Sequence, residues 1–214
     1  MSGPIGPSGT SVILVGAGRF AEETTDVAAD AGVEVVAWIE GLDAGLADPA
    51  HDPPILWVGD QAAFRPDIPV LPAIGSVRRR GLVERLVAEG RSLATLVHPS
   101  AVIARTAVLE PGCVVFAGVV IGARTRVGSG TIVDRGALIG HHTTIGAHSF
   151  IGPGATIAGG VEIGEEVRIG IGSIVRDDRR IGARATVGAG AVVVADVQAG
   201  VTVIGLPARP MERT

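Results

Sequence analysis

Three of the five histidines fall within eight residues, in the stretch DRGALIGHHTTIGAHSFIG (134–152): His141, His142 and His148. Imidazole is well suited to accept a proton near neutral pH, its ordinary pKa being about 6.5. It is also a metal ligand, but a structural or catalytic metal needs at least three donors converging at about 2.0–2.1 Å. These three sit in one short run, and no histidine follows His148. Proton transfer is therefore favoured over coordination, and no metal is expected. Which imidazole could do the work depends on the elements that carry it.

Those elements are set by a period of six. Every sixth residue from Val97 to Val193 is aliphatic, without interruption. The following residue is often glycine, as at Gly122, Gly140, Gly146 and Gly164, and the residue two before it is often small, as at Thr125, Ala137 and Ser149. On a helix, six residues at ~100° each would scatter these side chains around the axis. On strands they share a face, because six is even. The chain must then turn once every six residues, and glycine permits the turn. The solution is a parallel β-helix of short stacked strands, with 18 residues per coil if three sides close a triangle. The aliphatic residues would fill the tube.

Residues 18 apart then stack in neighbouring coils, about 4.8 Å apart. His141 falls in the column Ala123, His141, Gly159, Asp177. An imidazole beside a glycine, whose backbone a ligand can approach, suits acyl transfer. The base takes a proton, a contribution of about 10²–10⁴ in rate, while a peptide N–H steadies the oxyanion. His142 must be kept outside the apolar tube by a kink at the corner, and reads more readily as a bystander. His148 follows a turn and reads as exposed.

The first part of the chain has a different pattern. VILVGAG (12–18) reads as a strand entering a Gly-rich turn, with a helix from about Ala21 to Ala31 and a second strand, VEVVAWIE, ending at Glu40. This is the opening of a Rossmann-like α/β unit, with Gly16, Gly18 and Arg19 in a G-x-G-x-x-A turn. Two readings of the glycines stand side by side: close packing of strand and helix, or approach to a phosphate-bearing ligand at a helix N-terminus. Only some 85 residues precede the repeats, which suits a nucleotide-sugar better than a dinucleotide. A further strand in PVLPAIGS and a helix from Val77 to Glu89 lead to the repeats, where His98 seats the first coil. His51, in a polar loop, and the run Arg78–Arg79–Arg80 read as solvated surface. The expected layout is a flexible lead-in at 1–11, a Rossmann-like domain at 12–96 and a β-helix at 97–214.

On the uninterrupted hexapeptide period, the two-part order and the closing VIGLPARP, the chain resembles the hexapeptide-repeat acyltransferases. Within them it is most similar to the family of sialic-acid O-acetyltransferases and bacterial nucleotide-amino-sugar N-acetyltransferases. The resemblance runs from about Val12 to Pro210. It implies a left-handed β-helix, a homotrimer with active sites between subunits, acetyl-CoA as acetyl donor and a nucleotide-linked amino sugar as acceptor. It places the catalytic base at His141 and the oxyanion-binding N–H at Gly159. The family's Asp or Glu after the base is His142 here. A common Asn that contacts the sugar is Asp134, a candidate orienter of the base. Phe150 stands where the family often has a histidine near the thioester; Phe150, Gly159 and Asp177 are the implied acetyl-CoA contacts. The acidic residue after the second strand maps to Glu40, and the family's Ile-Gly-Asn-type segment to Ile74–Gly75–Ser76. With Gly16, Gly18 and Arg19, the residues Glu40, Gly75 and Ser76 are the implied nucleotide-sugar contacts. The turn's usual Gly-His is Arg19–Phe20 here. Alternatives are O-acetylation of a sialic-acid-like sugar, or a non-catalytic nucleotide-sugar-binding scaffold. Metal-dependent carbonic anhydrases share the β-helix, but their ligands come from well-separated coils.

Composition narrows the rest. With 47% hydrophobic residues, 3% aromatics and no tyrosine among 214 residues, the core must be Val, Ile, Leu and Ala. A net charge of −4 gives no electrostatic reason for a nucleic-acid partner. Cys113 is the single cysteine, so no internal disulfide forms. No stretch approaches a membrane span, and the N-terminus lacks a secretory pattern. A soluble cytoplasmic protein is expected.

Overall fold

The computed structural model describes residues 10–41, 43–60, 65, 67–77 and 79–211. Residues 1–9 of the expected lead-in, and Arg78 of the basic run, lie outside the described residues. Thr10 and Ser11, read as lead-in, already belong to the first strand.

Four strands, β1 (Thr10–Val15), β2 (Val33–Glu40), β3 (Ile55–Trp57) and β4 (Val70–Pro72), form an all-parallel sheet in the order β3-β2-β1-β4. Two helices accompany it: α1 (Arg19–Asp30), between β1 and β2, and α2 (Arg79–Ala88), after β4. The run VILV of β1 is buried because a parallel strand is covered on both faces.

From Leu96 onward the chain winds into a triangular coil of two-residue strands. In each pair the second residue is the sixth-step aliphatic and points into the tube, and the first points out. Along most of the coil the register steps by 18: Arg126 pairs with Thr144, Leu138 with Thr156 and Ile132 with Phe150. Three parallel sheets make the three faces. The first contains Ile132–Val133 and Phe150–Ile151, the second Leu138–Ile139 and Thr156–Ile157, the third Thr144–Ile145 and Glu162–Ile163. At the C-terminal end the coil tightens. Thr186 pairs with Thr202, and Ile181 bridges to Val197, each a step of sixteen. An antiparallel strand, Arg209–Pro210, then covers Val203–Ile204.

The small inward positions are where the coil is narrowest. Thr125, Thr131, Thr143 and Ser149 are fully buried there, and their hydroxyls donate to the carbonyls of Gly140, Gly146, Ala158 and Gly164. No buried hydroxyl in this set is left unpaired, as a dry core requires. The glycine after the aliphatic residue has its own cause. A Cβ on Gly140 would lie 2.5 Å from the backbone of Ala158 and Gly159, so adjacent coils close up only without a side chain.

The sheet packs on the first face of the coil. There the outward residues Val114, Ile132 and Phe150 are buried, and Phe20 of α1 lies 5.4 Å from Phe116 and 6.3 Å from Phe150, ring centre to ring centre. At the rim of that footprint the same column turns polar: Arg168 still donates to the Gly75 carbonyl at 3.2 Å, and Thr186 follows it. Arg79 of α2 corrects the sequence reading. It is fully buried, not a solvated helix face. Its guanidinium donates to the carbonyls of Gly130, His148, Ser149 and Ser76 at 2.6–3.0 Å, tying α2 to the coil. Burial pulls its pKa down to about 10, which still leaves it charged at neutral pH.

Candidate active site

The corner that follows the second face carries His141 and His142 on one coil, Gly159 and Gly160 on the next, and Asp177 and Asp178 on the one after. Together they line an open cleft of about 450 Å³. The stacking is the 18-residue register made visible. Gly160 N–H donates to His141 carbonyl at 2.9 Å, and Asp178 N–H to Gly159 carbonyl at 3.1 Å.

The imidazole of His141 lies flat against Gly159. A Cβ built there would stand 2.6 Å from Cε1 and 2.9 Å from Nε2 of the ring. The Gly159 N–H has no hydrogen-bond acceptor among the described residues. Corner N–H groups at the same position on other coils share that freedom, but this one has an imidazole beside it.

His142 keeps clear of the tube through a left-handed backbone, φ +56°. This turns its ring toward its neighbour. The two Nδ1 atoms are 3.0 Å apart, and the rings are nearly perpendicular, 87°. One Nδ1 must donate and the other accept. His142 thus touches the atom of His141 that an orienting group must hold, although its spacing alone marked it as a bystander.

The other implied residues fall elsewhere in a single subunit. Asp134 is buried, at the opposite edge of the second face. Its Oδ1 accepts from Arg135 N–H at 2.7 Å and Nε at 3.2 Å, so it does not orient His141 in the same chain. Phe150 is in the seam between sheet and coil, with the Arg168 guanidinium 4.9 Å over its ring, and it does not line the cleft. Asp177 does line it, with Arg176 at 3.7 Å. His148 is not exposed, as its place after a turn suggested. It is buried against Gly130, below Arg79, with Nε2 3.8 Å from a Glu84 carboxylate oxygen. Burial first, then the Arg79 charge, lowers its pKa. Cys113 is fully buried and its thiol is pushed up to about 12 by burial, which removes it as a nucleophile.

In the front sheet, Gly16 and Gly18 part company. Gly16 has φ +126°, and a Cβ there would meet Ile74 and the Ala73 carbonyl at 2.6 and 2.8 Å, so it is needed for packing. Gly18 is exposed, with open space where its side chain would be, at the N-cap of α1. Arg19 follows it, also exposed. Gly75 and Ser76 lie after β4, next to this turn: a Cβ on Gly75 would contact Phe20. Glu40 is largely buried, and its Oε1 accepts from Asp43 N–H at 3.2 Å, holding the loop after β2. His98 links the coil to α1 through Asp30 at 3.1 Å, and His51 is exposed.

Two cleft residues were not singled out from the sequence, Gly160 and Asp178. The 18-residue step from His142 reaches both, as the same step from His141 reaches Gly159 and Asp177. No cluster of three metal-binding side chains occurs among the described residues. A larger groove, about 580 Å³, runs along the third face, but its charged residues Glu162 and Arg180 pair with each other at 3.1 Å.

A hexapeptide coil with a histidine-lined corner cleft defines a transferase of the hexapeptide class. The family model for bacterial transferase hexapeptides (six repeats) matches residues 124–159 and 160–195, and the coil is a left-handed parallel β-helix. Among solved structures, a histidine-to-asparagine variant of perosamine N-acetyltransferase from Caulobacter crescentus, in complex with CoA and GDP-perosamine, is 31% identical. The match covers 96% of this chain and 99% of that one, with a TM-score of 0.86. The acetyltransferase domain of PglB from Neisseria gonorrhoeae, in complex with acetyl coenzyme A, is 32% identical over 94% and 98% of the two chains, with a TM-score of 0.85. WeeI from Acinetobacter baumannii is 26% identical over 94% and 100%, at 0.83. No curated protein sequence is a significant match. The chain belongs to the hexapeptide-repeat family of nucleotide-amino-sugar N-acetyltransferases.

Proposed function

We propose that this protein transfers the acetyl group of acetyl-CoA to the amino group of a nucleotide-linked sugar. The observation that carries the reading is the imidazole of His141 lying against Gly159 in an open corner cleft. Relatives solved with CoA and GDP-perosamine, or with acetyl coenzyme A, support the two substrates.

His141 Nδ1 is engaged by His142, which leaves Nε2 as the atom that meets substrate. Nε2 removes a proton from the amine as its nitrogen bonds to the thioester carbonyl carbon. The carbonyl pair moves onto oxygen, and the Gly159 N–H donates to that oxyanion. As the C–S bond breaks, His141 returns the proton to the departing thiolate. An amide and a free thiol result, with no acyl-enzyme. The absence of a side chain on Gly159 is what admits the thioester alongside the base.

The front sheet is read as a Rossmann-like unit spanning 12–96, followed by the catalytic coil. In such sheets ligands lie beyond the carboxyl ends of strands where strand order reverses. Here that point lies between β1 and β4, where Gly18, Arg19, Gly75 and Ser76 gather. They are assigned to the nucleotide-sugar, and Glu40 to shaping the loop beside it.

A homotrimer completes the site. The outward residues of the second face are Val102, Val120, Leu138, Thr156, Ile174 and Val192, a nearly unbroken apolar stripe with Val102 62% and Ile174 46% exposed. One edge of this face carries Asp134 and the other His141. A cyclic assembly through it brings the one edge of a subunit to the other edge of the next. Asp134 would then serve a neighbour's site. No helix among the described residues is long and apolar enough to cross a membrane, and the cytoplasm is the proposed location.

Thiol release from acetyl-CoA, measured against a panel of nucleotide-linked amino sugars including GDP-perosamine, tests the reading. Release that depends on the amino sugar supports it. Tight sugar binding without release would make the protein a scaffold, and release only with sialic-acid-like sugars would make it an O-acetyltransferase.

A further inference from the structure

The pair His141–His142 raises a tautomer problem. A neutral imidazole has one bare nitrogen and one N–H. If His142 donated from its Nδ1, His141 would have to accept on Nδ1 and carry its proton on Nε2, the wrong place for a base. Only the reverse arrangement works: His141 donates from Nδ1, His142 accepts on Nδ1, and His142 carries its own proton on Nε2. Something must favour that second arrangement.

The cleft holds a candidate. His142, Gly160 and Asp178 form one column at 18-residue spacing, and all three line the cleft. Gly160 has φ +71° and no side chain, and Asp178 Oδ1 occupies the space a Cβ on Gly160 would take. The Asp178 carboxylate has no hydrogen-bond or ion-pair partner among the described residues. It is thus an acidic group leaning down the column toward His142, across a gap that glycine keeps clear. Other charges near the pair are Arg124, one coil below His142, and Asp177 with Arg176, above.

We propose that His142 and Asp178 are positioning residues for the acetyl transfer assigned above. His142 accepts the His141 Nδ1–H, and Asp178 accepts the His142 Nε2–H through a water in the cleft. The Asp178 carboxylate leans over Gly160 and shares the cleft with His142 without a direct hydrogen bond to it, so the link is assigned to water held in the cleft. In this relay the fixed negative charge lies two coils from the base instead of beside it. When His141 takes the substrate proton, the Nδ1 proton can pass to His142, which the Asp178 carboxylate reaches through that water, and the positive charge is shared. The relay works only while the two imidazoles together hold no extra proton.

Three variants suit the left-handed backbone of these corners: His142→Asn, His142→Glu and Asp178→Asn. Asn tolerates that conformation, and Glu166 already adopts it in the same type of corner, φ +55°. Nitrogen-15 NMR of the histidines, with no substrate present, should show His141 as the Nδ1–H tautomer and His142 as the Nε2–H tautomer. Asp178→Asn should blur the His142 assignment. In kcat/KM against pH, His142→Glu should shift the acid limb upward by about one unit, since an adjacent carboxylate favours the imidazolium. Asp178→Asn should lower kcat/KM about threefold to tenfold at neutral pH, with KM for the sugar little changed. His142 with its proton on Nδ1, or a pH profile unmoved in His142→Glu and Asp178→Asn, overturns the relay. The tautomer readout does not depend on turnover, so an inactive wild type would count against the acetyl-transfer reading and leave the relay to be judged by NMR.

Discussion

His141 occupies the space that a side chain on Gly159 would need, its Cε1 2.6 Å from where that Cβ would stand. The two residues are one coil apart in the same column. A methyl at 159 would push the ring out of place and fill the approach to the N–H. Gly159→Ala keeps the N–H but displaces the base and blocks the approach, and should therefore lower kcat by about 10²–10³, as much as loss of an oxyanion donor. Gly159 has no left-handed φ, so its backbone accepts alanine. The melting temperature should stay near wild type, which separates a lost site from a lost fold. Normal turnover in this variant would place the chemistry elsewhere.

His141→Ala should cut kcat by about 10²–10⁴, the usual worth of a general base. The front sheet is untouched, so calorimetry should still record nucleotide-sugar binding. Loss of both binding and turnover would mean that the histidine supports substrate, not proton transfer.

Much of this was legible in the sequence, because a coil repeats. The six-residue step fixed which residues enter the tube, and three steps fixed which residues stack. His141 over Gly159 follows from that arithmetic. What did not follow was the outside of the coil. His148 and Arg79 read as surface because nothing in a single repeat says that a helix will cover it. The signal was present in the column Val114, Ile132, Phe150, apolar on its outward side until Arg168. His142 read as a bystander because its direction depends on a left-handed φ, which residue type did not announce. Phe150 was assigned from family position to acetyl-CoA, but in one subunit its ring belongs to the seam with α1.

Arg79 gives a stability test. Its guanidinium satisfies the carbonyls of Gly130, His148 and Ser149 inside the seam. Arg79→Met keeps the volume but strands the Gly130 and His148 carbonyls, while Ser149 keeps the Ile132 N–H, and each buried unsatisfied group costs about 1–3 kcal/mol. A loss on the order of 3 kcal/mol is expected in urea denaturation. Arg80→Ala should leave the urea midpoint nearly unchanged, since its ion pairs with Glu84 and Glu166 are made by a solvent-exposed guanidinium. Equal effects would mean that Arg79 is not the tie between helix and coil.

His148 makes stability depend on pH. Its folded pKa lies below the ordinary 6.5, mainly through burial. Between the folded and unfolded values the unfolded chain binds the extra proton, so stability rises with pH in that window. The stabilisation is complete above about 6.5 and fades as the pH falls toward the lowered value. Denaturation midpoints from pH 7.5 down to 5 should show this decline. His148→Asn, compatible with the φ of +56° at that corner, should flatten it. An unchanged slope in the variant would assign the dependence to other groups.

The second face offers the test of assembly. Leu138 and Ile174 are 44% and 46% exposed on a column that is apolar over several coils. Isolated exposed leucines are ordinary, but a contiguous apolar stripe on a regular surface marks a contact. Leu138→Glu with Ile174→Glu introduces two charges that a packed interface cannot solvate, while the inward neighbours Ile139 and Val175 keep the tube intact. Sedimentation should report a trimer for wild type and monomers for the double variant, with circular dichroism unchanged. If Asp134 serves the neighbouring site, acetyl transfer should fall together with the trimer. Full activity in a monomeric variant would confine the site to one subunit, and a wild-type monomer would leave the stripe without the role assigned to it.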